Sequence, residues 1–536
     1  MRVIDLFCGA GGFSEGFRQV GFDVIWAVDN WQPAVLTHQR NHPEGVTHLG
    51  DVEKIAYLPD KEFNELVQDS EIIIGSPPCV DFSNSNRSGK ADKSHGIQLI
   101  KSFLRIVARK KYKKNSVLKY WILENVANAK IHVKDSYTAQ DLDLEGNFEL
   151  KVLFGSSHIY KAQYFGVPSK RVRFLCGEFP EPKKLIEHEE EFIPLKTVTG
   201  KLGYPKGDAK KTITDPNYSF QIDANELTDH YYIQQLATFE WKKAKRLKQD
   251  KGYMGKMAFP ENEDSPARTI MATMSFSARE SMIFRYGKNT YRAPTIREIA
   301  SLMSFPVDYR FYGNSIGLKY KLVGNAVPPK MSYAFAKAIA EKENLELPQN
   351  YKPRKFPEND VEFYNLNEKN IPVKKEMPKN NKAKFKYHIP QLKENTLRVE
   401  LTNRHSNFEK ENFIWQVEIH KSQGPKADYF SPTANPRWMP QEYVQQIKLF
   451  IDEYSKKVPE PKIFQEYHCQ TDAHRKSNKL IGPMELLINT RSFIDSLHLN
   501  GRKGVTITSS KKKIELPISI AIGYFVLSKI LEHARR

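Results

Sequence analysis

Residues 2–17 read RVIDLFCGAGGFSEGF, and the passage from RVIDLF into CGAGG decides the fold. An apolar run that starts at the second residue reads as a buried strand, glycines 9, 11 and 12 follow it directly, and FSEGF opens a helix. Glycines at a strand-to-helix turn reach conformations closed to side chains and let a ligand meet backbone N–H groups. Working outward, DVIWAV, EIIIG, KYWILEN and VRFLCGEF repeat the apolar run, and helix-period stretches such as GIQLIKSFLRIVARK separate them. That alternation predicts an α/β domain on a doubly wound, largely parallel sheet, with ligands at the carboxyl ends of the strands.

The chain has 536 residues, 40% hydrophobic and 12% aromatic, enough to fill the cores of two to four domains. Its formal charge of +19 indicates a polyanionic partner, nucleic acid foremost. Four cysteines (Cys8, Cys79, Cys176, Cys469) stand far apart with no CxxC pair, which argues against zinc and against a disulfide framework and suits a reducing compartment. The chain is strand-like from Arg2, and the late apolar stretch LPISIAIGYFVL is too short to span a bilayer, so a cytoplasmic protein is expected.

The strand–helix alternation fades near Pro180. The following stretch, to about Tyr291, contains WKKAKRLKQDKGYMGK, with seven basic residues against one acidic. Helical patterns return at TIREIASLM and SYAFAKAIAEK, and a segment rich in Pro, Asn and Lys after Tyr351 reads as a linker. No internal repeat is evident.

Candidate chemistry gathers at the strand ends. Asp29 closes the second strand about twenty residues past the glycine turn, where an acid can accept ribose hydroxyls. Asp51, in LGDVEK, stands where it could accept an adenine amino hydrogen. The fourth strand delivers GSPPC and the fifth delivers ENV from Glu124, so a thiol and a carboxyl would face one pocket. The two prolines fix φ and turn the chain off the strand, which would lift Cys79 above the sheet. A cysteine there is either a small core residue or a held nucleophile.

In order, DLFCGAGGFSEGF, GDV, GSPPC, ENV, YFGVPSKRVRF, TIREIASLMSFP and LVGNAVPP resemble the motifs of the DNA cytosine-5 methyltransferases, over roughly residues 1 to 345. The resemblance implies S-adenosylmethionine as methyl donor, with S-adenosylhomocysteine as product and no metal. It implies a Rossmann-like catalytic domain at 1–178 plus 321–345 and a smaller target-recognition domain at 179–320. A linker at 346–390 and an α+β accessory domain at 391–536 complete the expected organisation.

Carried over by position, the resemblance makes Cys79 the nucleophile, with Glu124, Arg171 and Arg173 around the target base. Phe7, Gly9, Ala10, Gly11, Gly12, Asp29, Asn30, Trp31, Asp51, Val52, Pro77, Asn325 and Val327 are the expected cofactor positions. Ser83, Ser85, Lys90, Thr269 and Ile270 are the expected DNA contacts. Two departures stand out: Asn30 follows the expected ribose acid where a large stacking side chain is usual, with Trp31 one place later, and His95 replaces an arginine usual in the catalytic loop. The residue types suit the chemistry. Carbon 5 of cytosine is a poor nucleophile until a thiolate adds at carbon 6, Glu124 and Arg173 can meet ring N3 and the ring carbonyl, and the base must leave the stack.

The implied substrate is duplex DNA, and the setting is the modification arm of a bacterial or phage restriction-modification system with a cognate endonuclease. An RNA cytosine-5 methyltransferase and a non-catalytic DNA-binding regulator are the rival readings. A fused nuclease is a third, but WQVEIHKSQ lacks a clear acid-x-lysine triplet and a well-placed upstream acid. After the linker, TLRVEL and FIWQVEIHK read as an antiparallel pair, and ISIAIGYFVLSKILEHARR as a helix. His468, Cys469 and His474 read as surface chemistry. The basic NGRKGVTITSSKKK suggests further DNA contacts, with a dimer interface as the competing explanation.

Overall fold

The computed structural model describes residues 1–78, 93–207, 211–249, 257–357, 359–394, 396–421, 428–433, 438–499, 504–509 and 512–534. Two compact units emerge: Met1–Lys248 with Ala258–Val373, and Gln249–Met257 with Lys374–Arg536.

The first unit opens as expected. Strand β1 (Arg2–Leu6), helix α1 (Gly12–Gln19), β2 (Asp23–Asp29), α2 (Gln32–Asn41), β3 (Val46–Leu49), α3 (Val52–Ala56), α4 (Asp60–Leu66), β4 (Ile72–Gly75), α5 (Ser94–Lys111) and β5 (Tyr120–Val126) follow in order. A short pair, β6 (Ser136–Thr138) and β7 (Glu149–Lys151), precedes β8 (His158–Lys161), β9 (Ser169–Lys170) and β10 (Val172–Glu178). The main sheet has the order β3-β2-β1-β4-β5-β10-β8. Its first five strands run parallel, whereas β10 is antiparallel to both neighbours, so the sheet is mixed.

Alternate residues of each strand enter different cores, which is why the runs are continuously apolar. Ile4, Ile73, Trp121 and Leu123 pack on one face with Phe103 of α5. Val3, Ile72, Ile74 and Ile122 pack on the other with Phe13 and Phe17 of α1.

The stretch after β10 carries α6 (Leu195–Leu202), β11 (Thr212–Thr214), β12 (Gln221–Asp223), α7 (Thr238–Gln249), β13 (Ala267–Arg268), β14 (Phe284–Gly287), β15 (Thr290–Arg292), α8 (Ile296–Leu302), α9 (Ile316–Asn325) and α10 (Pro329–Lys342). The regions expected as separate domains at 1–178 plus 321–345 and at 179–320 fall within this one unit. The joins are visible: β13 pairs with β9, and Ala10 and Ala34 share a core with Leu302, Phe305 and Tyr309.

The segment expected as a linker at 346–390 divides at Val373, and its first part belongs to the first unit. Arg354 is ion-paired to the buried Glu15 and, at 3.3 Å, to Asp308. Asn365 and Asn367 accept hydrogen bonds from the backbone N–H groups of Asp229, His230 and Tyr231, and Leu366 is fully buried. The Pro-, Asn- and Lys-rich composition of a linker is here that of a strap, because asparagine side chains satisfy backbone donors as well as they solvate a loop.

The second unit contains a four-stranded antiparallel sheet of β16 (Lys386–Glu394), β17 (Leu397–Thr402), β18 (Gln416–Lys421) and β19 (Asp428–Phe430). Helices α11 (Gln441–Ser455), α12 (Pro461–Cys469), α13 (Asp472–Ser477) and α14 (Pro483–Ser496) follow, then the hairpin β20 (Val505–Ser509) and β21 (Lys512–Leu516), then α15 (Ile518–Ala534). Val399, Leu401, Val417 and Ile419 pack with Ile522, Val526 and Ile530 of α15 in the core. Cys469 and His468 are buried, so neither offers the surface chemistry expected of them. Among the described residues no helix is long and apolar enough to cross a membrane.

Candidate active site

The site grows from the carboxyl ends of β1 to β5. Past Leu6 the chain turns through Phe7 and Gly9, both at positive φ (60° and 53°). Cys8 N–H donates to Val28 O at 3.0 Å and Gly9 N–H to Asp29 Oδ2 at 2.9 Å, which ties the turn to the end of β2. A Cβ on Gly12 would lie 2.1 Å from the backbone oxygen of Val327, so packing against the segment before α10 excludes a side chain. Gly9 differs: nothing lies within 4 Å of where its Cβ would stand. The turn is therefore closed on its Gly12 side and open at Gly9.

Asp29 spends both oxygens on backbone, Oδ2 on Gly9 and Oδ1 on Trp31 N–H at 2.9 Å. Burial raises its pKa. It acts as the brace of the glycine turn, while Asn30 beside it is exposed and Trp31 half-buried. Lys321 Nζ lies 4.5 Å from the Trp31 ring centre. Asp51 caps α3 through Oδ1, which accepts from Glu53 N–H at 2.9 Å, and no donor among the described residues reaches Oδ2. Val52, Ala10 and Val327 are buried and Asn325 is exposed.

At the end of β4, Pro77 is buried and its carbonyl accepts from Asn125 Nδ2 at 3.1 Å. That bond joins the ends of β4 and β5, whose pairing brings Gly75 opposite Leu123. Cys79, Ser83, Ser85 and Lys90 lie outside the described residues. Glu124 is 6% exposed on β5. Arg173 Nε, from the adjacent β10, stands 2.9 Å from Glu124 Oε1 as an ion pair. The contact is one of charge, since Oε1 is buried without a hydrogen-bond partner, and no donor among the described residues reaches Oε2.

Arg171 and Arg173 separate. Arg171 is buried and donates to Ile270 O at 3.2 Å, so it anchors the segment after β13. Ile270, expected against DNA, is buried at 1% in the core shared by α8 and α9, and its side chain is withheld from any surface. Thr269 is half-buried and its hydroxyl donates to Lys170 O.

Sequence reasoning missed a buried polar chain beneath the glycine turn. Ser14 Oγ donates to Asp5 Oδ2 at 2.6 Å, and His38 reaches Ser14 Oγ at 3.0 Å and Thr47 Oγ1 at 2.7 Å. Burial pushes the Asp5 carboxyl up to about 7 and His38 down to about 3, so both resist charging. Tyr309 donates its hydroxyl to Ala10 O from outside. The readable signal was Asp5, an acid inside an otherwise apolar strand.

These residues fit an adenosine-bearing cofactor: an open glycine after β1, an indole after β2 and a carboxylate oxygen that no donor among the described residues reaches after β3.

The sequence matches the C-5 cytosine-specific DNA methylase family over residues 1–341. It is 28% identical over 351 residues to the type II methyltransferase M.HgiDI of Herpetosiphon aurantiacus, covering 63% of this chain and 94% of that protein. To the type II methyltransferase M.NgoPII of Neisseria gonorrhoeae it is 28% identical over 366 residues, covering 65% and 96%. The solved S. pombe Dnmt2 methyltransferase aligns at 16% identity over 64% of this chain and 100% of its own, with a TM-score of 0.40. With the family matched across more than half its length, this chain belongs to the C-5 cytosine-specific DNA methylases.

Proposed function

We propose that this DNA (cytosine-5-)-methyltransferase acts on a cytosine flipped out of a specific duplex sequence, as the modification enzyme of a restriction-modification system. The observation that carries the reading is the Glu124–Arg173 pair at the end of β5, beside the strand end that leads into Cys79. S-adenosylmethionine, when bound at the ends of β1 to β3, supplies an electrophilic methyl group on a sulfonium.

The remaining work falls to the chain. Cys79 adds its sulfur to carbon 6 of the ring, which loads electron density onto carbon 5. Glu124 shares a proton with ring N3 through Oε2, while Oε1 stays on Arg173, and the guanidinium keeps the carboxyl group in one orientation. Arg173 retains N–H donors for the ring carbonyl oxygen. Once carbon 5 carries the methyl group its proton passes to solvent, the carbon 6–sulfur bond breaks, and the thiolate leaves as the aromatic ring is restored. Asp29 holds the glycine turn rigid. Trp31 and Asp51 border the adenosine end.

Tritium transfer from labelled cofactor onto duplex DNA and onto tRNA tests the reading. Label on duplex DNA alone is expected, and bisulfite sequencing of DNA from expressing cells then reads the target site. Label on tRNA alone would turn the assignment to RNA.

A further inference from the structure

In the second unit β17 and β18 pair with Glu400 directly opposite Glu418 and Arg398 opposite His420. Val399, Leu401, Val417 and Ile419 enter the core, so the alternate residues Arg398, Glu400, Glu418 and His420 share the other face. Glu400, Glu418 and His420 are 3%, 4% and 0% exposed. Like charges opposed on paired strands repel, and burial removes the water that would screen them. Arg398 on Glu400 and Arg404 on Glu418 offset part of that charge at the outer oxygens, and the inner oxygens still need a donor or a cation between them.

At present the His420 ring stands there, as a hydrogen-bond donor. Its Nε2 lies 2.8 Å from Glu400 Oε2 and 3.4 Å from Glu418 Oε2. One imidazole nitrogen and two carboxylate oxygens thus converge on a single point. Neighbouring ligands of one ion stand about 3.0 to 3.4 Å apart for bonds of about 2.1 Å; the contact at 3.4 Å meets that, the one at 2.8 Å is a hydrogen bond that an ion would lengthen, and all three atoms lie within 4.8 Å of one another. The outer oxygens are held from elsewhere. Arg398 Nε donates to Glu400 Oε1 at 3.0 Å, and Arg404, His405 and Gln416 reach Glu418 Oε1 at 2.9, 3.0 and 2.7 Å. Donors that grip the outer oxygens and turn the inner ones toward a common centre are the supporting shell of a metal site.

We propose that Glu400, Glu418 and His420 form a binding site for a divalent cation of borderline hardness, Mn²⁺ or Zn²⁺. Two carboxylates and one imidazole suit such ions better than Ca²⁺, which prefers oxygen alone. Tyr429, 42% exposed, contacts the His420 ring at 3.9 Å between centres and gives the site an edge to solvent. Arg398 opposes the ion. Its Nη2 lies 3.2 Å from His420 Nδ1, a contact that keeps the ring proton on Nε2, aimed at Glu400. The ion takes the Nε2 lone pair, that proton moves to Nδ1 or to solvent, and the Arg398 contact with Nδ1 breaks.

The inference is independent of the methyltransferase reading. Calorimetric titration of the full chain with MnCl₂, and separately with ZnCl₂, should show one equivalent bound. E400Q and E418Q should each weaken binding at least tenfold. R398M should tighten it severalfold, a direction that loss of fold cannot produce. Methyl transfer by E418Q should equal wild type, which separates failure here from failure at Glu124. Equal affinity in wild type, E400Q and E418Q, weaker binding in R398M, or a dissociation constant above about 1 mM for both ions would overturn the site.

Discussion

Glu124 in the first unit and Glu418 in the second are both nearly buried glutamates on strands, at 6% and 4% exposure, and they are held in opposite ways. Glu124 meets one guanidinium, on Arg173, and keeps an oxygen without a donor among the described residues. Glu418 spends its outer oxygen on Arg404, His405 and Gln416 and turns the inner one to His420. One carboxylate is left open toward something that arrives, and the other is closed around a centre. Burial alone therefore does not distinguish the two; what each oxygen meets does.

The largest expected effect lies on the open side. C79A should lower methyl transfer at least about a thousandfold, because it removes the covalent step, while duplex affinity by gel shift stays near wild type, since phosphate contacts supply most of it. Near-normal transfer by C79A would end the mechanism. E124Q should cost about 10² to 10⁴-fold in kcat, the range of a positioned proton donor, with little change in unfolding midpoint. E418Q should do the reverse, moving the midpoint and sparing kcat. If both variants fell on kcat alike, the contrast between the two glutamates would collapse.

A third variant tests the strap. R354M removes one of two guanidiniums from Glu15, which keeps Arg18 at 3.0 Å, and leaves Asp308 to the Tyr351 hydroxyl; losing one partner of such a buried network costs about 1 to 3 kcal/mol. Urea unfolding followed by tryptophan fluorescence should show that loss. A change below about 0.5 kcal/mol would mean that residues 346–373 behave as the expected linker after all.

The two units also differ in how far they could be read in advance. Apolar runs bounded by glycine made β1 to β5 legible, because a strand buried on both faces needs no knowledge of its partner to be recognised. Motif order then singled out Glu124 and the glycine turn, both of which stand at strand ends. The role of Asp29 was not legible: its bonds to Gly9 and Trp31 depend on how closely the ends of β1 and β2 approach. The strap was hidden by composition, since Asn365 and Asn367 look the same in a solvated loop and over a row of N–H groups. In the second unit the upstream acid judged missing beside WQVEIHKSQ stands at Glu400, eighteen residues before Glu418. Only strand register brings the two together, and register is what period-2 patterning leaves undetermined.

The smallest effect concerns acid. His230 of the first unit is fully buried, with Nδ1 3.2 Å from Thr295 Oγ1 and Nε2 3.2 Å from Gly203 O. Burial pushes its pKa down to about 4, against about 6.5 in the unfolded chain. Between those values the unfolded state takes up a proton that the folded state refuses. The stability supplied by the neutral ring is thus complete above pH 6.5 and drains as pH falls toward 4, by about 1.4 kcal/mol per pH unit. H230N lacks this titration but keeps every other group, so it should be less stable than wild type at pH 7.5, with a gap that narrows by about 1.4 kcal/mol at pH 5.5. Urea unfolding of both proteins at the two pH values measures the gap. A constant gap would mean that His230 titrates alike in the folded and unfolded chains, and burial in the first unit would then not keep its proton off.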